Sequence, residues 1–160
     1  MTPRSPCRTK NGDVQTLASQ LIGTWRLLSR EDRTIEGKRQ VDPGLGSDPI
    51  ALLVYDSAGN FAAQFMKRDR SEIEPRAQAM AGENNSVAVG GYDAYFGTYT
   101  VDETAGAVTQ RLVGSLSAGD VGRVVTRAMR VEGDRLTIQL TTTGAGGEPV
   151  IRTLVWVRAA

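Results

Sequence analysis

From residue 23 onward, apolar residues recur mostly at every second position, in short runs broken by Gly, Pro, Asp and Asn. This is the patterning of strands. Arg135–Thr142 is the clearest case: Leu136, Ile138 and Leu140 fall on one face, and Arg135, Thr137, Gln139 and Thr141 on the other. The same reading predicts strands over Thr24–Arg30, Ile50–Tyr55, Phe61–Lys67, Tyr95–Val101, Ala107–Gly114, Arg123–Val131 and Val150–Val157. Ile50–Tyr55 is apolar on both faces, which suits a buried strand or one that meets a second chain. Upstream, Val14, Leu17, Ala18, Leu21 and Ile22 follow the i, i+3, i+4, i+7 pattern of a short helix. Asp13 is its candidate cap and Gly23 its terminator.

The breaks carry turn chemistry. Asp56-Ser57-Ala58-Gly59 and Glu132-Gly133-Asp134 are tight turns, and Asp102–Gly106, Ser115–Gly122 and Thr143–Pro149 are slightly longer ones. Short connections make consecutive strands pair as neighbours. About eight strands so connected predict an all-β fold, and specifically an antiparallel up-and-down β-barrel. Small residues (Ala63, Gly97, Gly114) mixed with Phe and Tyr suit a curved, closed sheet. One stretch, residues 68–90, is too long for a hairpin. Arg76–Met80 could turn once, and Asn84, Asn85 and Ser86 could cap a helix through Val87–Asp93. A connection of this length is expected to be a lid over one barrel end.

Composition narrows the classes. A chain of 160 residues with 40% hydrophobic residues makes one domain with a real core. Residues 1–13 are polar, with Pro and Gly, and are expected to be a disordered tail, leaving 14–160 as the domain. No apolar stretch approaches the roughly 20 residues of a membrane helix, and no apolar signal segment follows the first residues, so a cytoplasmic location is expected. Net charge is +1, and the sixteen arginines are scattered among acids, which leaves no stripe for a nucleic-acid backbone. With no histidine and one cysteine, Cys7, there is no His-based triad, no internal disulfide and no His or Cys metal cluster. No phosphate loop, nucleophile elbow or dinucleotide fingerprint is present. The expectation is a protein without metal or cofactor.

Several phrases carry a family likeness: Gly23-Thr24-Trp25 at the start of the first strand, within LIGTWRLLS (21–29), then AQFMKRDR (63–70), GYDAYFGTYTVD (91–102), VGSL (113–116) and LVWVR (154–158). Together they resemble the lipocalin-like domain family of small bacterial and fungal single-barrel proteins, over about residues 20–158. The resemblance implies an antiparallel barrel around a cavity. Some relatives act in natural-product pathways as cyclases, isomerases or carriers. It also implies that Trp25 packs at the closed end against Arg158. Relatives often carry histidine in the strand before Gly-Ser-Leu. This chain has Gln110-Arg111 there, so histidine chemistry does not transfer.

The candidate site residues follow from strand faces. Gln64 and Met66 share one face and Phe61, Ala63 and Phe65 the other; the pattern alone does not say which meets the cavity. Tyr92, Tyr95 and Tyr99 cluster with Asp93 and Phe96, and Tyr95, Gly97 and Tyr99 share a face. Aromatic bodies with polar tips suit a flat ligand. Arg111, Arg123 and Arg127 interrupt apolar strands, and Arg127 alternates with Val125 and Met129. If that face is interior, the arginine needs an anionic partner; if exterior, it is solvated. The expected function is binding of a small hydrophobic or aromatic ligand through Gln64, Met66, Tyr92, Tyr95, Tyr99, Arg111 and Arg127. The alternative is a cofactor-free isomerase, cyclase or lyase with Tyr95, Asp93 and Arg111 as its catalytic set. A homodimer through an exposed strand face is a further expectation.

Overall fold

The structure is a computed structural model, and it describes residues 15–72, 88–144 and 146–159. After a short helix α1 (Leu17–Leu21) come nine strands: β1 (Gly23–Thr34), β2 (Arg39–Gln40), β3 (Ile50–Tyr55), β4 (Asn60–Met66), β5 (Tyr92–Asp102), β6 (Ala107–Ser115), β7 (Val124–Glu132), β8 (Arg135–Thr143) and β9 (Pro149–Arg158). β1 pairs antiparallel with β2 and with β3, each strand from β3 to β9 pairs antiparallel with the next, and β1 also pairs with β9 from Trp25↔Arg158 to Thr34↔Val150. That last pairing closes eight strands into a barrel, with β2 as a two-residue addition to the far end of β1. The fold is thus the expected up-and-down barrel.

Local chemistry sets the turns. At the β3–β4 hairpin the Asp56 carboxylate accepts from the Ala58 and Asn60 amides at 2.9 and 2.8 Å, and Gly59 takes a φ of +88° that a side chain would resist. The helix begins later than the pattern suggested: Thr16, not Asp13, caps it by accepting from the Ser19 amide. Its first amides, on Leu17 and Ala18, donate to the Glu103 carboxylate in the β5–β6 turn at 2.7 and 2.9 Å. A carboxylate at a helix start satisfies amides that have no partner within the helix. Leu17 and Leu21 are buried, so the helix plugs one end of the barrel.

The core fills that plugged half. Trp25, Tyr55, Phe61, Val108, Met129, Leu136 and Trp156 are all nearly inaccessible. β1 has a register shift between Leu27 and Ser29. Before it, Trp25 faces inward; after it, Arg30 and Asp32 do. The barrel interior is therefore apolar at one end and charged at the other.

Two expectations need correcting. Tyr92 and Asp93 open strand β5 and do not end a helix. Arg123 lies outside β7, in the turn after a 3-10 segment over Ala118–Asp120. Most of the expected lid, and the expected tail, lie outside the described residues. The described flanks are held at one place: the Lys67 amide donates to the Gly91 carbonyl at 2.7 Å, and Arg70 Nε to the Gly90 carbonyl at 2.9 Å.

Candidate functional site

Opposite the helix plug, the barrel holds a cavity of about 300 Å³. Its apolar surface comes from Phe65 of β4, Tyr95 of β5, Leu112 of β6, Val125 of β7, Leu140 of β8, Leu154 of β9 and Leu45 of the loop before β3. Into the same space come four arginines (Arg30, Arg123, Arg127, Arg152), two aspartates (Asp93, Asp120) and Gln110. Thr141, Thr142 and Thr143 complete the lining, so that more of the cavity surface is polar than apolar. Small-molecule pockets place polar groups on apolar walls, and about 300 Å³ is the small end of their range.

Most of the charge is internally matched. Arg152 grips Asp32 with two nitrogens, at 2.8 and 2.9 Å, and lies 3.8 Å from Asp42. Arg30 donates to Asp42 at 2.7 Å through one nitrogen, while its Nε and Nη1 are buried without a partner. Burial, and then the neighbouring Arg152, push the Arg30 guanidinium down in pKa. Arg123 sits 3.5 Å from Asp120. At the cavity's inner edge, Gln110 donates to the buried Tyr55 hydroxyl at 2.7 Å.

Three groups remain. Asp93 lines the cavity with no arginine in ion-pair range among the described residues, and burial raises its carboxyl to about 6. The nearby Asp120 adds to that rise, and the Ala94 amide opposes it. Tyr95, on the same face of β5, is pushed up to about 12, mainly by burial, so its phenol stays protonated and can donate. Arg127 has no carboxylate in range among the described residues, and burial lowers its pKa.

The sequence-derived candidates divide accordingly. Tyr95 and Arg127 line the cavity, and Asp93 joins them. Gln64 and Met66 do not, because Phe61, Ala63 and Phe65 are the inward face of β4. Tyr92 also points outward, where its hydroxyl donates to Gln64 Oε1 at 2.7 Å. Arg111 is exposed on the outer face of β6, since its neighbours Gln110 and Leu112 take the inner one. Tyr99 does face inward but toward the plugged half. It meets Tyr55 edge-on at 4.8 Å and donates to the Asp56 carbonyl at 2.6 Å, away from the cavity. The expectation that these five contact a ligand in the cavity is corrected: alternation of faces keeps Gln64, Met66, Tyr92 and Arg111 off its lining, and depth in the barrel keeps Tyr99 off it.

The residues that sequence reasoning missed are Arg30, Asp32, Asp42, Gln110, Asp120 and Arg152. Arg152 and Leu154 share the β9 period, so an inward arginine there was visible in principle. Arg30 and Asp32 were hidden by the β1 register shift, which no periodic pattern announces. Among the described residues no group of Cys, Asp and Glu is placed to hold a metal ion.

An up-and-down eight-stranded barrel, closed first strand to last, helix-plugged at one end and hollow at the other, defines a lipocalin-type β-barrel. The chain belongs to the lipocalin-like domain family, whose profile matches residues 22–159. Among solved structures, bovine odorant binding protein in complex with a selenium-containing odorant is similar over 95% of this chain and 78% of that one. The identity is 14% and the TM-score 0.45. No curated protein matches the chain.

Proposed function

We propose that the protein binds a small, largely apolar or aromatic molecule inside the barrel. The observation that carries this reading is the cavity itself: a space of about 300 Å³ walled by Phe65, Tyr95, Leu112, Val125 and Leu154. Such a wall offers area for a flat ligand, and the polar groups around it fix orientation. The test is a fluorescence titration with the neutral dye N-phenylnaphthylamine, together with native mass spectrometry for a co-purified molecule. Val125→Trp, which fills the space, should abolish dye uptake while the circular dichroism spectrum stays that of the wild type. Absence of any saturable uptake by the wild type would defeat the reading.

A second reading has its own support, the convergence of Asp93, Tyr95 and Arg127 on one space. A cofactor-free isomerase, cyclase or lyase needs little more than one base and donors for a developing oxyanion. Asp93, raised toward neutrality, would take the proton; Tyr95 and Arg127 would hold the oxygen. Arg111 is outside the barrel and takes no part. Solvent-deuterium uptake by aryl ketones, followed by NMR, should be faster with the wild type than with Asp93→Asn. Equal rates with the two proteins count against catalysis.

A further inference from the structure

We propose that the occupant of this cavity is an organic acid, with an apolar body, a carboxylate held by Arg127 and a hydroxyl or amine donor facing Asp93. The proposal rests on the ligand-binding reading and gives it a chemical class.

The charges around the cavity are not all matched. Four guanidiniums line the cavity. Three of them already have carboxylates: Arg30 has Asp42, Arg152 has Asp32, and Arg123 has Asp120. Among the described residues Arg127 has none, and the one hydrogen bond of its side chain there is a long contact of 3.5 Å to the Thr126 carbonyl. Its charged neighbours are the cations Arg123 and Arg152. On the acid side, Asp32, Asp42 and Asp120 are engaged, and Asp93 is the one left without an arginine among the described residues.

Asp93 and Arg127 do not pair with each other. They act on the same group from opposite senses: Asp93 raises the Tyr95 phenol and Arg127 lowers it. Tyr95 thus stands within the field of both. Partly buried charges without counter-ions cost free energy. A ligand that brings one anion and one donor relieves both at once.

The charge left over selects the anion. A single unengaged guanidinium presents a planar fork that fits one carboxylate. A phosphate ester carries more charge than one arginine balances, and Asp93 and Asp120 repel the excess. The two unpartnered nitrogens of Arg30, which also lines the cavity, add positive potential beside Arg127.

The experiment compares acids with their own amides by isothermal titration. The panel is para-hydroxybenzoate, para-hydroxyphenylacetate and para-hydroxyphenylpropanoate, each beside its amide and beside the acid lacking the ring hydroxyl. A charge-assisted hydrogen bond predicts that the best acid binds roughly tenfold or more tightly than its amide. Arg127→Gln should erase that preference. Asp93→Asn should reduce the advantage of the hydroxylated acid while leaving acid favoured over amide. Equal binding of acid and amide by the wild type across the panel overturns the proposal, and this comparison needs no variant to fold. If the neutral dye is taken up while acids gain nothing over amides, the organic-acid assignment fails and the ligand-binding barrel stands. If neither dye nor any acid or amide binds, both fall.

Discussion

Arg158 lays its guanidinium over the Trp25 indole, 4.2 Å from the ring centroid, across the β1–β9 pairing that closes the barrel. Its nitrogens also donate to the carbonyls of Gln20 and Ile22 at 2.7 and 2.9 Å, at the end of the plugging helix. Trp25 completes the joint by donating its indole N–H to the Leu21 carbonyl at 2.9 Å. Helix, first strand and last strand therefore meet at one cation and one ring. The contact implied by the family resemblance is present, and its role is structural.

Arg158→Lys tests that joint. Lysine keeps the charge but loses the planar fork that serves two carbonyls and the ring together. Urea unfolding should show a loss of about 1–3 kcal/mol, with dye binding at the far end of the barrel unchanged.

Asp93 gives a pH signature. Its folded carboxyl titrates at about 6, against ~3.9 for a free aspartate. Between those values the folded protein holds a proton that the unfolded chain has lost, so stability falls as pH rises through the window and stays lower above it. Asp120 and Asp42 reinforce the effect and Arg30 opposes it. Asp93→Asn should be more stable than wild type by about 1–3 kcal/mol at neutral pH. The difference should shrink toward zero by about pH 4. A pH-independent difference in thermal midpoint would contradict this assignment.

The Arg152–Asp32 pair is nearly buried, with side-chain exposures of 12% and 8%. Removing one partner strands a charge. Asp32→Asn should cost about 3–5 kcal/mol in denaturant unfolding. The double variant Asp32→Leu with Arg152→Met should cost less than that single change, because no unmatched charge remains between the two positions.

Two glycines face the same strand pair with opposite consequences. A Cβ at Gly97 would run into the Arg111 backbone carbonyl, at the register shift between β5 and β6. A Cβ at Gly114 would meet only the ring of Phe96, which lies exposed over it. Backbone cannot yield as a side chain can. Gly97→Ala should cost about 3 kcal/mol or more, and Gly114→Ala about 1 kcal/mol, as read by thermal and chemical denaturation.

What the sequence determined by itself was the barrel. Alternation in Arg135–Thr142, the apolar run Ile50–Tyr55 and the Asp–Gly turns are local features, and each of the eight barrel strands could be drawn to within a few residues of its true ends, while the two-residue β2 was not foreseen. The alternation also sorted side chains correctly into two sets: Phe61, Ala63 and Phe65 against Gln64 and Met66, or Tyr95 and Tyr99 as one face. Which set faces inward was decided only by closure, when β1 paired with β9 and the larger apolar set had to fill the enclosed half. That choice sent Gln64, Met66, Tyr92 and Arg111 outside and brought Arg127 in. The charged half of the interior was still less legible. Arg30 and Asp32 reach the inside through an irregularity in β1, and their partners Asp42 and Arg152 lie 12 and 120 residues away along the chain. Period-two patterning records which side of a strand a residue occupies; only the closed barrel determines what stands across from it.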